Sequence, residues 1–152
     1  MPPRRFGGNI DCKDLIAGTT LFLPISVDGA LFSAGDGHAA QGDGEVSGTA
    51  IESPVEAQVT LSLRHDLRLE WPIARTRDAW LAFGFDEDLR QAARIALDGM
   101  LDLLAREHGL ARDDALAIAS VVVDLRVTQL ANRTVGVHAV LRDDALTPVA
   151  RA

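Results

Sequence analysis

Two periodicities divide the chain near residue 85. Before it, short runs of alternating apolar and polar residues are separated by glycine clusters; after it, apolar positions recur every three to four residues. Residues 20–27 read as a strand closed by the turn dipeptide Asp28-Gly29, and residues 30–33 resume an extended run. Residues 55–65 alternate, with Val59, Leu61 and Leu63 on one side and Thr60, Ser62 and Arg64 on the other. Leu67, Leu69 and Trp71 continue that period, and Pro72 marks an edge or an end. The expectation is a half-solvated antiparallel sheet in a sandwich-like or open-barrel arrangement.

From Asp86 onward the pattern turns helical. Asp86 is a candidate cap, with Glu87 and Asp88 favourably placed in the first turn. Leu89, Ala93, Ala96, Leu97, Met100 and Leu104 form one apolar face, opposite Glu87, Gln91, Arg94, Asp98 and Asp102. Gly109 stops this helix, and a second is expected over residues 112–120. Residues 121–128 are rich in β-branched side chains and read as a strand. Residues 134–141 alternate again, with Val135, Val137, Ala139 and Leu141 on one side. The predicted class is therefore α+β: mostly antiparallel strands, a helical hairpin near residues 86–120, and two strands after it. At 152 residues without a linker-like stretch, a single domain over 1–152 is expected.

Charge narrows the functions. The net charge is −7, and it is spread evenly: residues 1–76 hold 6 basic and 10 acidic groups, residues 77–152 hold 9 and 12. Neither half offers phosphates a basic footprint, so neither nucleic acid nor an anionic membrane surface is an expected partner. No run approaches a membrane span, and the first residues lack a signal-type apolar stretch, which points to a cytoplasmic protein. Cys12, the sole cysteine, excludes internal disulfides and multi-cysteine zinc sites, and its acidic neighbours Asp11 and Asp14 blunt it as a nucleophile.

The segment richest in chemistry is Gly35-Asp36-Gly37-His38-Ala39-Ala40-Gln41-Gly42-Asp43-Gly44-Glu45. Asp36 and His38 are two apart and share a face in an extended segment; Asp43 and Glu45 repeat the relation beyond a possible turn. Such an oxygen and nitrogen cluster suits a divalent ion, zinc-like if His38 binds and calcium-like if only oxygens do. The spacing matches no EF-hand, Rossmann or Walker fingerprint, and no Gly-x-Ser-x-Gly elbow occurs. Turn chemistry accounts for the glycines and aspartates equally well, so the pattern alone leaves open a solvated acidic hairpin. Glu52 is a candidate supporting carboxylate, and His138, opposite the apolar set of its strand, faces either solvent or a site. His65 reads as a turn residue, and His108 suits the end of a helix.

This loop, together with Gly7-Gly8-Asn9-Ile10-Asp11-Cys12-Lys13-Asp14-Leu15, Gly48-Thr49-Ala50-Ile51-Glu52, Gly84-Phe85-Asp86-Glu87-Asp88-Leu89, Val123-Asp124-Leu125-Arg126-Val127-Thr128-Gln129 and Gly136-Val137-His138-Ala139, resembles the acetamidase/formamidase family, hydrolases of small aliphatic amides. The resemblance implies a β-rich fold and metal-assisted cleavage of an amide carbon–nitrogen bond. It implies Asp36 and His38 as metal ligands, with Asp43 and Glu45 beside them. Family members are about twice as long, so the chain is expected to correspond to their C-terminal half. A small amide, and either further copies of the chain or a complementary N-terminal half, are the expected partners. Glu45 is the choice for general base and then acid, with Asp43 as its alternate. A third ligand would come from Glu52, His138 or the other half. A catalytically incomplete, metal-binding piece is the competing expectation.

Overall fold

A computed structural model describes residues 1–146. Its frame is a five-stranded antiparallel sheet built from β1 (Thr20–Phe22), β4 (Ile73–Arg75), β5 (Ala79–Asp86), β6 (Val123–Gln129) and β7 (Val135–Arg142), in the spatial order β1-β4-β5-β7-β6. A separate two-stranded ribbon pairs β2 (His38–Ala40) with β3 (Ile51–Glu52). Helices α1 (Leu89–His108) and α2 (Arg112–Val122) connect β5 to β6. The expected α+β class, with antiparallel sheets and a helical hairpin before the last two strands, is the one observed. The second sheet is only the ribbon.

The helices cover one face of the large sheet. Alternation along β5 and β7 sends Ala82, Val137, Ala139 and Leu141 into the helical layer, where they meet Ala92, Ala96, Met100 and Leu104. The opposite side of the same strands supplies Leu81, Phe83, Phe85 and Val140, which pack with Cys12 from the N-terminal loops. Helix α1 comes close because both partners are small: Gly84 of β5 sits directly beneath the backbone of Ala92 and Ala96. Met100 and Leu104 are fully buried. Truncation of either to alanine is expected to cost about 2–5 kcal/mol, measured as the shift in a urea midpoint; less than about half a kcal/mol would place that face in solvent.

Several boundaries differ from the sequence reading. Asp88, not Asp86, caps α1: its carboxylate accepts from the Arg90 N–H, while Asp86 accepts from the N–H of Asp88. Two aspartates two residues apart both satisfy the cap pattern, and the chain uses them in series. Leu89 is exposed, whereas Ala92, Leu101 and Leu103, outside the expected face, are buried. The first strand is shorter than predicted, ending at Phe22 just before Leu23-Pro24. Residues 55–65 form no ladder. Val59, Leu61 and Leu63 are 54%, 68% and 65% exposed, because no strand among the described residues lies beside them to take up their backbone groups.

Candidate functional site

The loops over the face opposite the helices carry the site. In the ribbon, His38 of β2 stands directly across from Glu52 of β3. Its Nε2 lies 3.3 Å from Glu52 Oε2 and 3.5 Å from Asp36 Oδ1. Ligand-type atoms of Asp36, His38 and Glu52 all fall within 4.8 Å of one another. The ring's orientation follows from its other side. The Gln41 amide donates through Nε2 to the Asp11 carbonyl, so its Oε1 faces His38 Nδ1 at 2.8 Å and accepts from it. The Gln41 bond, ahead of the two carboxylates, raises the His38 pKa above its ordinary value. With Nδ1 turned to Gln41, Nε2 faces two carboxylate oxygens, a set satisfied either by a proton on the ring or by a metal cation between them.

Beside this cluster is a buried carboxyl pair. Asp11 and Glu45 are both buried, and Asp11 Oδ2 accepts from Asn9 Nδ2 at 3.1 Å and Gln129 Nε2 at 2.7 Å. Gln129, itself fully buried, also accepts the Asp11 N–H on Oε1 at 3.1 Å. Burial first, then the neighbouring Glu45 carboxyl, pushes the Asp11 pKa up to about 6 from 3.8. Asp11 thus keeps a proton longer in the folded chain than in the unfolded one. Ionising it withdraws stability as pH climbs from about 4 through about 6. Asn at this position reproduces the protonated form, its oxygen accepting from Asn9 and Gln129. The Asp11→Asn chain, held with a chelator, is therefore expected to melt higher than the parent at pH 8, with the gap closing near pH 4. A gap independent of pH would reject the assignment.

Glu45 reaches this position through the glycine turn. Gly44 has φ +90°, and its N–H and carbonyl bond to Thr128 O and Leu130 N, fastening the turn to the end of β6. Asp36 and Glu45 themselves hold left-handed backbones, φ +62° and +43°; for glutamate this is uncommon and marks local strain. Asp43 takes a different direction. The Arg126 guanidinium grips both of its oxygens at 2.7–3.0 Å and Lys13 stands at 3.4 Å. Although burial opposes it, this cationic pairing keeps Asp43 below the usual carboxylate range.

The structure thus brings Asp36, His38 and Glu52 together and sets Glu45 beside Asp11, while Asp43 belongs to an ion pair. His138 is elsewhere, buried beneath the loops with Cys12 and Asp14. Burial, with Arg126 adding to it, lowers its pKa to about 4. Burial more than the adjacent acids lifts the Cys12 thiol to about 12. Sequence reasoning missed Asp11 and Gln129, which lie 118 positions apart. The available signal was an aspartate following Gly7-Gly8-Asn9, read only as a neighbour of Cys12.

A two-layer α+β fold thus presents a histidine–carboxylate cluster next to a buried carboxyl pair. Residues 1–80 match the sequence profile of the Acetamidase/Formamidase family, which is more than half of the 152 residues, and the chain belongs to that family. It is 49% identical over 47 residues to the acetamidase of Mycolicibacterium smegmatis, and 45% identical over 47 residues to the formamidase of Methylophilus methylotrophus. Each match covers 31% of this chain and 12% of the relative. The fold is similar to the crystal structure of acetamidase from Yersinia enterocolitica, with TM-score 0.84 and 28% identity over 97% of this chain. It is also similar to acetamidase from Bacillus halodurans, with TM-score 0.77 and 29% identity over 93% of this chain. The chain spans 44% and 48% of those two structures, less than half of either. Among the described residues no helix is long and apolar enough to cross a membrane.

Proposed function

We propose that this chain contributes the C-terminal half of an amide hydrolase, cleaving the carbon–nitrogen bond of a short aliphatic amide to a carboxylate and ammonia in the cytoplasm. The observation that carries the reading is the convergence of Asp36, His38 and Glu52 beside the buried Asp11–Glu45 pair. The donor set suits a divalent ion: one imidazole nitrogen with its tautomer fixed from behind, and two carboxylates. The nitrogen favours zinc over calcium. Such an ion, when bound, supplies Lewis acidity toward the amide carbonyl and lowers the pKa of water. Glu45 takes the proton of the attacking water, and the pair returns it to the departing nitrogen. Both carboxyls are buried beside the cluster, which places them to pass a proton between water and the departing nitrogen. Asp43, tied to Arg126, holds the loop that carries Glu45.

The second reading, a piece incomplete without a complementary N-terminal half, is favoured by a specific observation. Val59, Leu61 and Leu63 alternate like a strand yet stand exposed, and they help line a cleft of about 1920 Å³. That is well above the roughly 300–1,000 Å³ usual for a small-molecule pocket, so a cleft this size suits further polypeptide. A single domain matching the family's C-terminal half, paired with its complement or with copies of itself, accommodates both observations.

Elemental analysis and ammonia release test the reading together. The parent chain is expected to retain a divalent ion that Asp36→Ala and His38→Ala lose; equal metal content in all three would remove the site. Ammonia release from formamide or acetamide is expected to be weak for the chain alone and to rise when a complementary half from a relative is added. Robust turnover by the isolated monomer would instead show the site complete within these residues.

A further inference from the structure

Beneath the loops lies a second group that the hydrolytic reading leaves unused. Cys12 and Asp14 come from the N-terminal loop and His138 from the face of β7 opposite the helices. The sulfur, a carboxylate oxygen and a ring nitrogen of these three lie within 4.8 Å of one another. His138 is fully buried, and its Nδ1 is engaged with Thr128 Oγ1 at 2.8 Å. Its Nε2 has no hydrogen-bond partner among the described residues; Asp14 Oδ2 stands at 3.5 Å. Buried ring nitrogens are ordinarily satisfied, and this one points at a thiol and a carboxylate.

We propose that Cys12, Asp14 and His138 form a second metal site, selective for a zinc-type ion and separate from the Asp36–His38–Glu52 cluster. Sulfur and imidazole ligands together select zinc or its chemical neighbours over calcium and magnesium. The surroundings match those of a ligand shell. Thr128 fixes the far side of the imidazole, and Arg126 Nη1 donates at 2.7 Å to Asp14 Oδ2, the oxygen that faces His138 Nε2, which orients the carboxylate toward the ring. Arg126 also grips Asp43, tying this group to the loop that carries Glu45. Binding replaces the Cys12 S–H bond with a sulfur–metal bond and releases that proton to solvent. Asp14, part-exposed, lies on the side from which an ion can enter. Three protein ligands leave the fourth position to water, which matches the usual count of a zinc site with an exchangeable ligand.

The sole cysteine gives the test one possible assignment. Titrating the reduced chain with Co²⁺ is expected to produce a sulfur-to-cobalt charge-transfer band in the near ultraviolet, with release of one thiol proton. The band is expected to survive in His38→Ala, to vanish in Cys12→Ser and to weaken at least tenfold in apparent affinity in His138→Gln. Because His138→Gln alters a buried position, X-ray absorption on the zinc-loaded parent chain provides a reading free of substitutions, with one sulfur expected at about 2.3 Å. Zinc bound only through nitrogen and oxygen, or a charge-transfer band unmoved in His138→Gln, would overturn the second site while leaving the first intact. Loss of metal from His38→Ala with the sulfur band retained would confirm two independent sites.

Discussion

The Gly84→Ala chain is expected to lose about 3 kcal/mol or more of folding stability, the upper end of the range for overpacking. A Cβ built on Gly84 would lie 2.1 Å from the Ala92 carbonyl oxygen, 2.5 Å from the Ala96 nitrogen and 2.9 Å from Ile95 Cβ. Two of these are backbone atoms of α1, so no side-chain rotation relieves the contact. The helix must lift from β5, taking Met100 and Leu104 out of register with the sheet. Gly99, on the helix itself, is the control: its added Cβ would meet only Ala82 Cβ at 3.4 Å. There alanine is tolerated, and the gain in helix propensity of about 1 kcal/mol works in its favour. Urea denaturation of the two variants should therefore move in opposite directions. A Gly84→Ala midpoint near that of the parent would mean that the helix rides higher than described.

The Glu45→Gln substitution should lower turnover about 10²–10⁴-fold in the assembled enzyme, the range for loss of a general acid–base. Gln keeps the size and the hydrogen bonds but cannot take the proton of water. Its neighbour Asp11 is clamped by Asn9 and Gln129 through Oδ2 and cannot swing to replace it. Metal content should stay at the parent level, since Glu45 lies outside the Asp36–His38–Glu52 cluster proposed to hold the ion. Turnover near that of the parent would move the proton transfer to another group. A fall in metal content alongside turnover would reassign Glu45 as a ligand.

What could be read from the sequence was whatever repeats locally. Helix α1 declares itself through twenty residues of 3.6-residue period and a glycine stop, and β7 through its alternation. The relation between Asp36 and His38 was legible because two residues in extended backbone share a face. That Glu52 would stand opposite His38 depends on the register of β2 against β3, set by a ladder ten residues away along the chain. Residues 55–65 show the converse: the alternation is there, but a strand exists only beside a partner, and pattern does not supply one. Asp11 with Gln129, and Cys12 with His138, meet only when the N-terminal loop closes over the sheet. No local spacing encodes such a meeting.

The position of β7 has a consequence for how the chain is made. It is the seventh strand in order of synthesis, yet it sits between β5 and β6, pairing with both. Until residues 135–142 have been made, the inner edge of β5 is bare, and the backbone of β6 is tied only at its end, to the Gly44 turn. The sheet can be completed only once residues 135–142 are made, because that strand fills the slot between β5 and β6. Chains arrested before that point would present two open strand edges side by side, the kind of surface that chaperones bind and that nascent chains use to aggregate. The arrival of β7 is what pairs both of those inner edges.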